Sequence, residues 1–340
     1  DRSDVHLVGS RRGVEVELVP GAGFGLTVLG GRGIQRRLTP ANVGALMGLL
    51  AGFLRAFLLM VRARPRVVLS LGGYASIPCG LAAVVLRVPL VVAEQNAVPG
   101  AANRLLGRFA RASAVSFVDT ALPRPELTGN PVRAAIRSAV GTRSEARARI
   151  GVDDRPLLVA FGGSLGARRI NRAVADFVEG WRGGPLAVRH VVGARGWAAG
   201  EMATAVPAGV GYTAVAYEHD MPTLLAAADL VVCRSGATSV AELAVLGVPS
   251  VLVPLPGAPG DHQTANARHL AGSGGAVLLA DADLDGSALE DLLGEILSDP
   301  PRRDAMAEAA RSMARPDAAD RVVDLILRHA AGRCDDVRDA

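Results

Sequence analysis

Between Asp229 and Asn266 the sequence reads D-L-V-V-C-R-S-G-A-T-S-V-A-E-L-A-V-L-G-V-P-S-V-L-V-P-L-P-G-A-P-G-D-H-Q-T-A-N, and no other stretch constrains the fold as tightly. Leu230 to Cys233 is an apolar strand, and a small polar turn follows it. The pattern predicts a helix from about Thr238 to Leu246, then a second buried strand at Ser250 to Pro254 and a Gly/Pro loop ending in Asp261-His262-Gln263. That is one βαβ unit with its polar groups at the carboxyl ends of the strands, where open α/β sheets bind ligands. Ser235-Gly236-Ala237 is small enough for a phosphate to approach the backbone, and the helix that follows offers unpaired N–H groups and the positive end of its dipole. Glu242, one turn in, suits two readings. It can accept hydrogen bonds from vicinal ribose hydroxyls, or it can close a capping box with Ser239.

The same punctuation recurs along the chain. Arg66 to Ser70 reads as a strand running into Leu71-Gly72-Gly73-Tyr74, then a helix from about Pro78. Pro89 to Ala93 is a strand that empties into Glu94-Gln95-Asn96, a cluster with little packing value and therefore a candidate ligand loop. Pro156 to Phe161 is a strand followed by Gly162-Gly163-Ser164-Leu165-Gly166-Ala167, the counterpart of Gly72-Gly73 in a second half. Neither turn has the dinucleotide spacing G-x-G-x-x-G, which argues against a nicotinamide enzyme. Val5 to Val8, Val16 to Val19 and Leu26 to Leu29 read as short strands. Ser138 to Gly151 reads as one Arg-rich connecting helix. Asp281-Ala282-Asp283 has the spacing of a metal-binding carboxylate pair, but beside Gly and Ser it reads as a turn and helix cap.

At 340 residues the chain is long enough for two domains. The boundaries read from the sequence are 1–133 and 134–316, with a terminal helix at 317–331 that crosses back to the first domain and a disordered tail at 332–340. All 37 basic residues are Arg and the net charge is +4, which fits work near anionic material. Basic clusters interleaved with aromatics are absent, so nucleic acid is not expected as a partner. Cys79, Cys233 and Cys334 have no metal-ligand spacing. No uncharged apolar run reaches the roughly 20 residues that span a bilayer. Residues 41–62 form an apolar helical stripe flanked by Arg32, Arg36, Arg37, Arg55, Arg62 and Arg64. Such a stripe packs on a core, or it rests on an anionic membrane.

Six motifs, taken together, go further. G-G-Y-A-S-I-P at 72–78, E-Q-N-A-V-P-G-A-A-N-R at 94–104, T-G-N-P-V-R at 128–133, F-G-G-S-L-G-A-R-R-I-N at 161–171, C-R-S-G-A-T-S-V-A-E at 233–242 and G-D-H-Q-T-A-N-A at 260–267 resemble, collinearly over nearly the whole chain, the MurG family. These are bacterial transferases that convert lipid I to lipid II in peptidoglycan synthesis. The resemblance implies a GT-B glycosyltransferase fold, α/β with two doubly wound Rossmann-like domains facing a cleft. It implies inverting transfer of GlcNAc from UDP-GlcNAc to undecaprenyl-linked lipid I, with no obligatory metal, at the cytoplasmic face of the cell membrane. By the same resemblance Ser164 contacts the UDP diphosphate, Arg133 reaches the nucleotide from the linker between the domains, and the Glu218 backbone reads the uracil edge. Ala237, Thr238 and Glu242 hold phosphate and ribose, Gln263 and Asn266 hold sugar hydroxyls, and Asn96 sits at the reacting sugar. Gly72 and Gly73 face the acceptor diphosphate.

The family opens with a strand and a glycine loop ending in Gly-His, and Asp1 to Glu15 already resembles the second strand, so the first βα unit is expected to be missing. Transfer needs a base for the acceptor hydroxyl. Glu94 is the carboxylate in the motif set placed to serve. The alternatives are a related transferase with another lipid acceptor, or a chain that binds donor without turnover.

Overall fold

The computed structural model describes residues 4–11, 13, 15–30, 41–163 and 166–335, with side chains described from 47 onward in the long second helix and up to 331 in the last one. The chain divides into two compact units, Asp1–Thr128 with Asp320–Ala340, and Gly129–Ala319. Sequence reading put this boundary at 133/134. Gly129 to Arg133 group with the second unit for two reasons. A Cβ on Gly129 would lie 2.4 Å from the Cβ of Arg315, and the Arg133 guanidinium binds Glu242.

In the first unit β1 (His6–Ser10), α1 (Glu15–Gly21) and β2 (Gly25–Leu29) form a βαβ element whose strands pair in parallel, His6 opposite Gly25 and Ser10 opposite Leu29. The expected strand at Val16 to Val19 is therefore a helix. Parallel neighbours need a crossover, and these residues supply it. The Glu15 carboxylate fixes its start by accepting the Ser10 N–H at 2.8 Å. The chain continues through α2 (Ala41–Ala63), β3 (Val68–Ser70), α3 (Ser76–Val85), β4 (Leu90–Glu94), α4 (Ala101–Gly107), β5 (Ala112–Val115) and β6 (Pro125–Leu127). The last four strands form a parallel sheet in the order β3-β4-β5-β6. Every residue of β4 and β5 is buried, as expected for strands covered on both faces. Phe53, Ala56, Phe57 and Met60 turn one side of α2 into a core with Leu29, Cys79, Ala82 and Ala83.

The second unit begins with α5 (Ala134–Ser138) and α6 (Arg143–Ile150), two helices where one was expected. Gly141, at φ +79°, turns the chain between them in a conformation closed to most side chains. Then follow β7 (Leu157–Phe161), α7 (Arg168–Gly180), β8 (Leu186–Val191), α8 (Ala194–Ala198), β9 (Val210–Val215), α9 (Met221–Ala227), β10 (Leu230–Cys233), α10 (Ala237–Leu246), β11 (Ser250–Leu252), α11 (His262–Gly272), β12 (Ala276–Leu278), α12 (Gly286–Leu297) and α13 (Pro300–Ser312). The six strands are parallel in the order β12-β11-β10-β7-β8-β9, the dinucleotide-fold order in which the sequence reverses direction between the first and fourth strands. β7 and β10 are those strands. Their side chains are buried throughout, each worth roughly 1.5–3 kcal/mol for a large aliphatic. A final helix, α14 (Ala318–Asp335), buries Val322 and Leu325 against Val91, Ala93, Ala112 and Ala114 of the first unit.

Candidate active site

The strand order reverses between β7 and β10, and the carboxyl edge at that point is where this topology receives a ligand. The loop after β10 is Arg234-Ser235-Gly236. Gly236 is the N-cap of α10, with no side chain bonded to the helix start, so the leading N–H groups of Ala237, Thr238 and Ser239 have no acceptor within the helix. Ala237 is buried and Thr238 exposed. The loop is held from below. Ser235 Oγ donates to the Gln263 carbonyl at 2.8 Å, and Asn266 Nδ2 donates to the Ser235 carbonyl at 3.1 Å. Open donors on a rigid loop at the positive end of a ten-residue helix make an anion seat.

The capping-box reading of Ser239 and Glu242 does not hold, because α10 starts at Ala237 and Glu242 lies well inside it. The Glu242 carboxylate instead accepts the Nε–H of Arg133 at 3.0 Å. The carboxylate side is nearly buried, at 8 % exposure, and the guanidinium is 56 % exposed. This pair puts an acceptor and a half-exposed cation on α10. Glu218 spends its side chain on the Asp220 N–H at 3.0 Å, leaving its backbone as the part suited to a base edge. Gln263 gives its amide oxygen to the Leu255 N–H at 2.9 Å, so its NH2 is the group available to a hydroxyl. Asn266 is fully buried and donates to the Ser235 carbonyl, so it supports the loop. Ser164, assigned to the diphosphate, lies outside the described residues.

In the first unit the structure changes the reading of Glu94. Its carboxylate is 4 % exposed. Oε1 accepts the Asn96 N–H at 3.0 Å and the Asn96 Nδ2 at 3.2 Å; Oε2 accepts the Gly100 N–H at 2.9 Å and the Asn103 Nδ2 at 2.8 Å. A carboxylate has about four lone-pair sites, and four donors occupy them. With those sites filled, Glu94 acts as a clamp, a reading that competes with its assignment as the base. It holds the loop that carries Asn96. Asn103 extends the network by donating to the Ala93 carbonyl at 3.0 Å and accepting from Ser70 Oγ at 3.3 Å. The next turn, Gly72-Gly73, has both residues at φ near +80°, and a Cβ on Gly72 would meet Asn103 at 3.3 Å. Asn103 lies within one of the sequence motifs, and only the fold shows that it joins the two loops.

A second buried polar network also went unread. His190, fully buried, places Nε2 3.2 Å from Asn171 Oδ1 and Nδ1 2.9 Å from the Tyr212 hydroxyl. Asn171 Nδ2 donates to the Val192 carbonyl and to Glu201, so Oδ1 must face the ring, and the proton sits on Nε2. Tyr212 then donates to Nδ1 and accepts the Ala203 N–H. Burial pushes the imidazole from its ordinary value down to about 4, and the ring is a neutral structural link.

Two parallel-sheet units, the second with a nucleotide-type switch point and an anion seat, define a glycosyltransferase of the GT-B class. Residues 1–115 match the glycosyltransferase family 28 N-terminal domain and residues 157–322 its C-terminal domain, and the chain belongs to that family. Within it the chain is similar to the UDP-N-acetylglucosamine:N-acetylmuramyl-(pentapeptide) pyrophosphoryl-undecaprenol N-acetylglucosamine transferase of Desulforudis audaxviator. The two are 40% identical over 339 residues, covering 95% of this chain and 90% of the relative. The transferase of that name from a Nocardioides species is 39% identical over 332 residues, 97% of this chain and 90% of its own. The crystal structure of Acinetobacter baumannii MurG superposes with a TM-score of 0.80 at 30% identity, covering 95% of this chain and 91% of that one. A UDP-GlcNAc 2-epimerase from Neisseria meningitidis, at a TM-score of 0.62 and 12% identity over 95% of this chain and 99% of that one, shares the fold alone.

Proposed function

We propose that this chain transfers GlcNAc from UDP-GlcNAc to the muramyl hydroxyl of lipid I, giving lipid II with inversion at the anomeric carbon. The observation that carries the reading is the α10 start, with three unpaired N–H groups beside the Glu242–Arg133 pair in a family whose named members perform this reaction. The diphosphate sits on those N–H groups, with the half-exposed Arg133 guanidinium beside them as a counter-charge. The ribose hydroxyls take the Glu242 oxygens. As the glycosidic bond breaks, charge grows on the leaving diphosphate, and fixed donors aimed there lower the barrier without reorganising. Held in this way the leaving group needs no metal, and turnover is expected to persist in EDTA. In the first unit, Asn96, held by Glu94, is the group we assign to the reacting sugar, and Gly72-Gly73 offer backbone N–H groups to the acceptor diphosphate.

Among the described residues no helix is long and apolar enough to cross a membrane. The outer side of α2 nevertheless exposes Met47, Leu50, Leu54, Leu58 and Val61, spaced three and four apart so that they form one stripe, with Arg55, Arg62 and Arg64 also on the helix or at its end. This stripe supports peripheral contact with an anionic bilayer at the face where UDP-sugars are found. Arg36 and Arg37, named for the same role, lie outside the described residues. The test of the function is direct. The protein is incubated with radiolabelled UDP-GlcNAc and lipid I in detergent micelles, and labelled lipid II is expected. UDP-GlcNAc binding without product overturns the transfer, and transfer only to a different lipid acceptor overturns the choice of acceptor.

A further inference from the structure

The two helix starts that flank the switch point are joined by a carboxylate that neither loop contains. Asp281, at the turn after β12, is 11 % exposed on its side chain and faces two arginines. Oδ1 lies 2.6 Å from the Nη1 of Arg234, the first residue after β10. Oδ2 lies 3.3 Å from the Nε of Arg169, in the first turn of α7. Each arginine also donates to backbone carbonyls. Arg234 Nη1 reaches Val253 and Pro254 at 3.2 and 2.9 Å, and Arg169 Nη2 reaches Ala282 and Leu284 at 3.0 and 3.1 Å. The brace therefore ties together the ends of β10, β11 and β12 and the beginning of α7. It is costly to keep, since the Arg234 Nε is buried without a hydrogen-bond partner, and a buried unpaired donor costs stability. Arg234 is followed at once by Ser235-Gly236 and the open N–H groups of α10.

We propose that Asp281 is a positioning residue for donor binding. By neutralising Arg234 and Arg169 together it fixes the start of α7 relative to the start of α10, so that the two helix N-termini serve one diphosphate. It touches no substrate. Displacement of a binding group by about 1 Å is enough to spoil such convergence, and the brace cross-links the end of β10 to the start of α7 through side chains. The proposal rests on the reading of the α10 start as the donor seat.

The test uses Asp281→Asn, Asp281→Glu and Arg169→Gln in the full chain. UDP affinity is measured by calorimetry, KM for UDP-GlcNAc and for lipid I by steady-state kinetics, and Tm by scanning calorimetry. Losing one charge-assisted contact at each arginine is expected to weaken UDP binding and raise donor KM about tenfold in Asp281→Asn. Acceptor KM and kcat are expected to stay within about twofold, because the brace holds the donor loops and not the reacting groups. Asp281→Glu keeps the charge and recovers part of the loss. Arg169→Gln cuts only the more exposed arm and is expected to give a smaller donor effect in a folded protein. An unchanged donor KM and UDP affinity in Asp281→Asn, whether or not Tm falls, overturns the proposal. If Asp281→Asn does not fold, an unchanged donor KM in Arg169→Gln overturns it. Failure of the unaltered protein to bind UDP overturns the donor-seat reading on which the brace depends.

Discussion

Replacing Glu94 by Gln separates a proton acceptor from a loop clamp. The carboxamide keeps one oxygen and exchanges the other for an NH2 donor. If that NH2 takes the place of Oε2, it faces the Gly100 N–H and the Asn103 amide. Asn103 cannot turn to accept it without pointing its oxygen at the Ala93 carbonyl. The less costly arrangement puts the NH2 at Oε1, where the Asn96 side chain can rotate but its backbone N–H cannot. At least one hydrogen bond to a carboxylate is then lost, with a donor left against a donor, for about 1.5–3 kcal/mol. In a unit of this size each kcal/mol moves the melting temperature by roughly 2–4 °C, so a fall of about 3–12 °C in the first unit's transition is expected. Turnover falls with it, since the Asn96 backbone N–H loses its acceptor and the Asn96 side chain must turn. The assay pairs scanning calorimetry with the pH dependence of kcat. A clamp loses stability and keeps the shape of the pH profile. A variant with unchanged melting that loses the limb of the profile rising with pH would show that Glu94 takes the proton, and the clamp argument would be refuted.

Three further outcomes follow from the geometry. Because His190 is neutral with its pKa held at about 4 against an ordinary 6.5, the unfolded chain takes up this proton first as pH falls. Its contribution is present above about 6.5 and is lost progressively down to about 4, for a total on the order of 3 kcal/mol. Guanidinium unfolding midpoints at pH 7 and pH 4.5 should therefore fall more steeply in the unaltered protein than in His190→Gln, and parallel slopes would contradict the assignment. Arg133→Ala leaves the Glu242 carboxylate nearly buried without its cation and removes the diphosphate's counter-charge, so donor KM should rise about tenfold or more with acceptor KM little changed; an unaltered donor KM would sink the pairing's role. Leu54→Glu with Leu58→Glu, both on exposed positions, should reduce sedimentation with anionic vesicles while leaving stability within about 0.5 kcal/mol, and undiminished vesicle binding would remove α2 from the membrane contact.

The strands around the switch point were legible in the sequence because a strand buried on both faces must be apolar along its length, as L-L-V-A-F at β7 and L-V-V-C at β10 are. The glycine turns were legible for a similar reason, since left-handed backbone at Gly72 and Gly73 strongly favours that residue. What escaped depends on contacts that local pattern does not encode. Val16 to Val19 alternates well enough for a strand and becomes a crossover because its neighbours pair in parallel. Glu242 sits three residues after Ser239, the spacing of a cap, yet its partner is Arg133, 109 residues away. Glu94 reads from the sequence as a candidate base, and the structure shows it gathering four donors on the loop that carries Asn96. A carboxylate in a sequence does not show how many N–H groups will converge on it. Asp281 was read as a turn residue, and nothing in its neighbourhood hints at arginines 47 and 112 residues before it.

The pairing of β7 with β10 also governs how the protein acquires its site. Leu158 lies opposite Leu230 and Phe161 opposite Cys233, so this ladder joins segments about seventy residues apart and can form only after the intervening α7 to α9 region has closed a long loop. Until it does, the two turns that flank the switch point are not neighbours and no diphosphate seat exists. A nucleotide can therefore stabilise only chains that have already crossed this step. Added UDP should slow unfolding while leaving the refolding rate unchanged, so the donor acts as a lock on the finished sheet and has no part in assembling it.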